Sequence, residues 1–141
     1  MIFMHVNMWA VLAAAVASIV IGFLWYSPLL FAKPWMIAMG YDPEDNARIA
    51  AMQKSAGPKY LVSFLASLLG AFVLGKIIYH LMATNSYQGM KVGFAIWLGF
   101  VMTVQLTDKL FADRPWNLFF INTGYQLASC LIMGAILGQW V

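Results

Sequence analysis

Residues 7–31 read NMWAVLAAAVASIVIGFLWYSPLLF, a run without one charged side chain. At ~1.5 Å per residue a helix of this length exceeds the ~30 Å hydrocarbon core of a bilayer, so the run spells a transmembrane helix with some tilt. Ser27-Pro28, near its end, is expected to kink or stop it, because proline has no N–H and crowds the preceding turn.

Working outward, three more apolar runs follow, from about Tyr60 to Met82, Gly89 to Phe111 and Pro115 to Trp140. Their charges sit near the ends: Lys76 and His80 in the second, Lys91 and Asp108-Lys109 in the third. A charge at the bilayer centre costs ~2.5–3.5 kcal/mol on insertion scales and far less near the interface. The long stem of Lys76, the deepest of these groups, is expected to snorkel outward. Composition agrees with this reading. The 141 residues are 63% apolar and 9% charged, against roughly 45–50% and 25% in soluble domains. A chain this small lacks the charge to cover itself in water. The sequence thus predicts an all-α membrane protein, one membrane domain over 1–141, with four transmembrane helices at about 7–31, 60–82, 89–111 and 115–140.

The one sizeable polar segment lies between the first two spans, Lys33 to Lys59. Asp42-Pro43-Glu44-Asp45 has the composition of a helix start, with an N-cap, proline at the first helical position and acids in the first turn. Ser55-Ala56-Gly57-Pro58 has that of a stop. A short interfacial helix at about 43–56 is expected, serving as a connector along the membrane surface.

A faint internal repeat runs through the chain. Leu30-Phe31-Ala32-Lys33-Pro34-Trp35 recurs, with one insertion, as Leu110-Phe111-Ala112-Asp113-Arg114-Pro115-Trp116, and Gly70-Ala71-Phe72-Val73-Leu74-Gly75 is echoed by Gly134-Ala135-Ile136-Leu137-Gly138. Two duplicated helical hairpins would produce this pattern, both pointing the same way and gathering the Pro-Trp elements on one face. Lys33, Arg48, Lys54, Lys59, Lys109 and Arg114 belong to that face, while Lys76 and Lys91 belong to the side of the termini. The positive-inside rule then puts the 33–59 loop in the cytoplasm and both termini outside. No cleaved signal peptide is expected, since no Lys or Arg precedes Lys33 and the apolar run is too long. The single cysteine, Cys130, excludes an intrachain disulfide. The net charge of +3, from eight scattered Lys and Arg, does not suggest nucleic acid.

Two stretches carry a family resemblance: Gly22-Phe23-Leu24-Trp25-Tyr26-Ser27-Pro28-Leu29-Leu30-Phe31-Ala32-Lys33-Pro34-Trp35-Met36, and Arg114-Pro115-Trp116-Asn117-Leu118-Phe119-Phe120-Ile121-Asn122-Thr123-Gly124-Tyr125-Gln126-Leu127. Both resemble the bacterial membrane family catalogued as domain of unknown function, number 1761. The Leu-Trp-Tyr-Ser-Pro run is the most specific part, and the loop around Ala47–Gln53 the loosest. The resemblance implies a small bacterial multi-pass membrane protein; taken with the charge distribution, the expected location is the cell inner membrane with the termini periplasmic. It supplies no established activity and no catalytic residues.

Small residues at four-residue spacing are the first functional signal. Ala10, Ala14, Ser18 and Gly22 form a stripe on span one, Ser63, Ser67, Ala71 and Gly75 one on span two, and Cys130, Gly134 and Gly138 one on span four. Such stripes let helix backbones approach closely, within one chain or between chains. Polar residues inside the spans are the second. Asn122, Gln126 and Ser129 share a face of span four, with Tyr125 beside them; on span three Gln105 and Asp108 share one face and Thr103 and Thr107 another. Interhelical hydrogen bonding is the plain explanation. The sharper one is a pathway for a small solute or ion lined by Asn122, Gln126, Gln105 and Asp108.

Met1, Met4, His5 and Met8, near His80 and Met82, hold soft ligands that suit Cu(I), but methionine is a common apolar filler and no metal or cofactor is expected. Trp25, Tyr26, Trp35, Tyr41 and Trp116 on one side, and Trp9, Tyr79, Tyr87 and Trp140 on the other, suit interfacial belts. There is no zinc-type His-Glu pattern, phosphate-cradling glycine loop or Cys or Ser nucleophile beside a histidine. The expectation is a non-enzymatic protein whose partners are the bilayer and either further copies of itself or a membrane complex in which it is an accessory subunit. The alternative is a small oligomeric channel or transporter.

Overall fold

The computed structural model describes residues 6–140, and those residues form an all-helical bundle without strands. Its elements are α1 (Met8–Trp25), α2 (Ala32–Ala38), α3 (Asn46–Lys54), α4 (Ala56–His80), α5 (Ser86–Ile96), a π-helical turn at Trp97–Val101, α6 (Met102–Ala112) and α7 (Trp116–Trp140). Taking α5, the wide turn and α6 as one span, four helices are long and apolar enough to cross a membrane. The expected count of spans is what the fold contains.

Each boundary has a local cause. Asn7 caps α1, its side chain accepting from Trp9 N–H at 3.0 Å. The helix stops at Trp25, earlier than the apolar run ends, because Pro28 keeps the residue before it out of helical geometry. The Ser27 N–H and hydroxyl both donate to the Leu24 carbonyl, at 3.2 and 2.7 Å. The loop helix is shorter than expected and starts later. Asp42 spends its side chain on Glu44 N–H in a tight turn, and Asp45 is the residue that caps α3, accepting from Arg48 N–H at 3.1 Å. Its expected stop sequence instead opens the next helix. Ser55 ends α3 and α4 begins at Ala56, so Pro58 sits in a first turn whose N–H groups need no helical partner.

At the start of α5, Asn85 accepts from Gln88 N–H at 2.9 Å while Gln88 accepts from Thr84 N–H at 2.8 Å, a reciprocal cap. α6 ends on Asp113 in the left-handed conformation, φ 53°.

The core lies toward the end of the bundle that holds Asn7. Ala10, Val11 and Ala14 of α1 meet Ala71, Leu74 and Ile78 of α4 and Met133 and Leu137 of α7. Lys76 is buried there, 7% exposed, and is not without a partner; the expected outward snorkel is replaced by burial. The outer surface is apolar, with Leu61, Leu65, Leu69, Leu98 and Phe120 exposed, as a bilayer solvent requires. Both Pro-Trp elements lie at the opposite end, where α2 packs on α7 and the Arg114 guanidinium reaches the Met39 sulfur at 3.7 Å. There a file of rings runs outward from the bundle: Tyr125 to Tyr26 at 5.6 Å, Tyr26 to Trp35 at 6.1 Å and Trp35 to Tyr41 at 6.0 Å, with the Arg48 guanidinium 4.4 Å above Tyr41. These contacts fold the polar loop back onto the bundle.

Candidate functional site

The closest helix crossing is between α5 and α7. Gly89 and Gly93 of α5 lie against Cys130, Gly134 and Gly138 of α7, and a Cβ on Gly89 would collide with the Gly134 carbonyl. The Ser86 hydroxyl adds a bond to the Ala135 carbonyl at 3.0 Å. Gly134 and Gly138, expected as packing residues, therefore pack inside the chain. So do Ser18, Gly22 and Gly75. Ser18 is buried against Ser129, and Gly22 faces Tyr125, whose hydroxyl lies 3.2 Å from where a Cβ would be. Gly75 faces Leu137, 3.4 Å from such a Cβ. The stripe on α4 is only half used: Ala71 and Gly75 are buried, Ser67 is half-buried and Ser63 is exposed.

α7 is also where the polar groups meet. The Ser18 and Ser129 hydroxyls are 2.6 Å apart, and the Tyr125 hydroxyl donates to the Ser18 carbonyl at 3.0 Å. Toward the Pro-Trp end, Tyr26 donates to Asn122 Oδ1 at 2.6 Å and the Trp25 indole to the Ile121 carbonyl at 2.9 Å. Gly124 gives that indole its room, since a Cβ there would sit 3.0 Å from the ring. On the other flank, the Trp97 indole donates to the Thr123 carbonyl at 3.0 Å and the Thr123 hydroxyl to Gln105 Oε1 at 2.8 Å. Two tryptophans thus hold α7 from opposite sides through backbone oxygens.

Below this clamp α6 and α7 diverge and leave a polar cleft of about 70 Å³. Gln105, Asp108 and Asn122 line it, together with Lys109, Arg114 and Thr123. Three of the four polar residues singled out in the sequence come together here. Gln126 does not; it is half-buried one turn further along α7, outside the cleft. Thr103 and Thr107 turn the other way and bond to the carbonyls of Gly99 and Thr103, four residues back, at 2.8 and 3.0 Å. Asp108 is exposed at the cleft. The Lys109 ammonium lies 4.0 Å above the Trp116 ring, a cation–π contact. Of the methionine and histidine set near the N-terminus, Met1, Met4 and His5 lie outside the described residues.

The chain matches the family described as protein of unknown function (DUF1761) over residues 9–138. It belongs to that family. The DUF1761 match takes in the Gly89–Gly134 crossing, the tryptophan clamp and the cleft. No curated protein and no solved structure matches the chain.

Proposed function

We propose that this DUF1761 protein is a non-enzymatic multi-pass protein of the inner membrane that acts through helix contacts, as a homo-oligomer or as an accessory subunit of a membrane complex. One observation carries the reading. Its third and fourth spans are the less apolar pair, yet they are treated differently: the apolar window of α7 is 39% buried, whereas that of Ser86–Ala112 is only 11% buried. No residue from Trp97 to Ala112 is buried. The outward face of that span carries Gly99, Thr103 and Thr107, small residues at helical spacing whose hydroxyls are already spent on their own backbone. Such a face suits close approach by another helix. The chain's own helices cover the glycine stripe of α7 and the buried half of that on α4, whereas the whole of this one is left for a partner. The Lys and Arg distribution supports a cytoplasmic 33–59 loop and termini outside. Cys130 is buried, so Thr103→Cys supplies one accessible thiol. Oxidative cross-linking in native membranes should join Thr103→Cys chains to one another or to a partner, and Val62→Cys chains should remain single. Absence of any adduct through Thr103→Cys and through Thr107→Cys removes the proposal.

A second reading, a small oligomeric channel or transporter, is favoured by the polar cleft between α6 and α7. Vesicle flux that is unchanged by Asn122→Leu and by Gln126→Leu would exclude it.

A further inference from the structure

The cleft between α6 and α7 holds two cations, Lys109 and Arg114, and one acid, Asp108. Neither cation has its donors saturated. Lys109 rests on the Trp116 ring at 4.0 Å, and the Arg114 contact is the Met39 sulfur at 3.7 Å, a weak acceptor for one of five N–H groups. The cleft amides add donors. Gln105 Oε1 already accepts from Thr123, and Asn122 Oδ1 from Tyr26, which leaves both NH₂ groups as donors. The cleft therefore offers guanidinium, ammonium and amide donors together, the chemistry that recognises phosphate. Asp108 would repel a simple anion, and so gives the ligand a second requirement, a cation of its own. Near the cleft the apolar Leu110, Phe111 and Phe120 are exposed beside the polar Asp113 and Asn117, a mixture that suits the boundary between acyl chains and headgroups.

We propose that this cleft binds the phosphoethanolamine headgroup of a membrane lipid, with Lys109 and Arg114 on the phosphate and Asp108 on the ammonium. A phosphodiester carrying a primary ammonium matches all three charges. Anionic glycerol headgroups leave Asp108 without a partner, and choline headgroups cannot donate a hydrogen bond to it. The site rests on neither functional reading above, because it needs no second chain and no flux. The same chemistry exists in free phosphoethanolamine, so the two sources must be separated.

The test uses the full chain in a mild detergent and native mass spectrometry. Phosphatidylethanolamine, phosphatidylglycerol and phosphatidylcholine are added separately at equal concentration. The ethanolamine lipid should be retained best. Arg114→Gln should weaken it by roughly tenfold, the loss of one charge-assisted hydrogen bond. Asp108→Asn should abolish the preference for ethanolamine over glycerol headgroups, by weakening the ethanolamine lipid and strengthening the anionic glycerol lipid. Lys91→Gln, whose ammonium lies 4.8 Å above Tyr87 on the other side of the membrane, should change nothing. Should Arg114→Gln not fold, Lys109→Gln replaces it. Equal retention of the three lipids, or indifference to the cleft variants, overturns the proposal. Retention of free phosphoethanolamine as tight as that of the intact lipid reassigns the cleft to a soluble ligand and overturns it as well.

Discussion

The Ser18 and Ser129 hydroxyls lie 2.6 Å apart, a buried bond across 111 positions of sequence that joins α1 to α7. Inside lipid a hydroxyl has no water to fall back on, and such bonds are worth ~0.6–1.7 kcal/mol. Ser18→Ala and Ser129→Ala should each lower stability by about that amount, and the double variant by little more than either alone. Unfolding in mixed micelles of mild and denaturing detergent measures all three. Simple additivity would mean that the two hydroxyls do not share a bond.

Glycines on different spans should respond in opposite ways. At Gly89 and Gly93 an added Cβ runs into the backbone of Gly134 and of Cys130, whereas at Gly70 it meets nothing. Gly89→Ala must push two helices apart and should cost ~1–3 kcal/mol or more. Gly70→Ala should be neutral or slightly stabilising, since alanine is the better helix former. The comparison uses the same unfolding assay, and equal effects at both sites would contradict the crossing.

Asp113 ends α6 with a left-handed φ of 53°. Its carboxylate also sits at the negative end of the helix dipole. Asp113→Gly removes both penalties and should raise stability by up to ~1 kcal/mol, read as a higher melting temperature. A loss of stability would show that the carboxylate has a partner worth more than the strain.

The positive charges predict which side each end faces. A reporter that works only outside the cytoplasm should be active when fused after Val141 and silent when inserted at Glu44 in the loop. The reverse pattern would invert the whole orientation.

What could be read before the fold was seen follows from which interactions are local. Span number and type were legible because apolar length alone decides them, and Gly134-xxx-Gly138 because the motif is compact. The convergence of Gln105, Asp108 and Asn122 was legible only as a possibility, since two helices must lie side by side to make the cleft. Gly89-xxx-Gly93 has the same spacing as its partner motif and was passed over. Thr123, Lys109 and Arg114 were missed as cleft residues for a different reason: threonine is unremarkable in a membrane helix, and the two cations read first as orientation signals. Trp25 reads as a belt residue, and nothing in sequence shows that its indole ends on the Ile121 carbonyl. The loop helix ends earlier than expected because Ala56-Gly57-Pro58 opens the next helix, and starts later because Asp42 and Asp45 are equally good caps on paper. Only the tight turn at Asp42 separates them.

The wide turn at Trp97–Val101 has a consequence for the alignment of this span. Continued as an ordinary helix, the Gly89 and Gly93 face would carry on through Phe100 and Val104. Those two are 70% and 65% exposed, and the side turned to α7 is instead the one holding Trp97, Gln105 and Lys109. One surplus residue in the turn rotates everything after it by ~100°. Deleting Phe100 would restore a regular spiral and swing Gln105 and Lys109 away from α7, emptying the cleft of half its polar groups while leaving the glycine seam intact. The span is in effect two helices phased separately, one for close packing and one for the cleft.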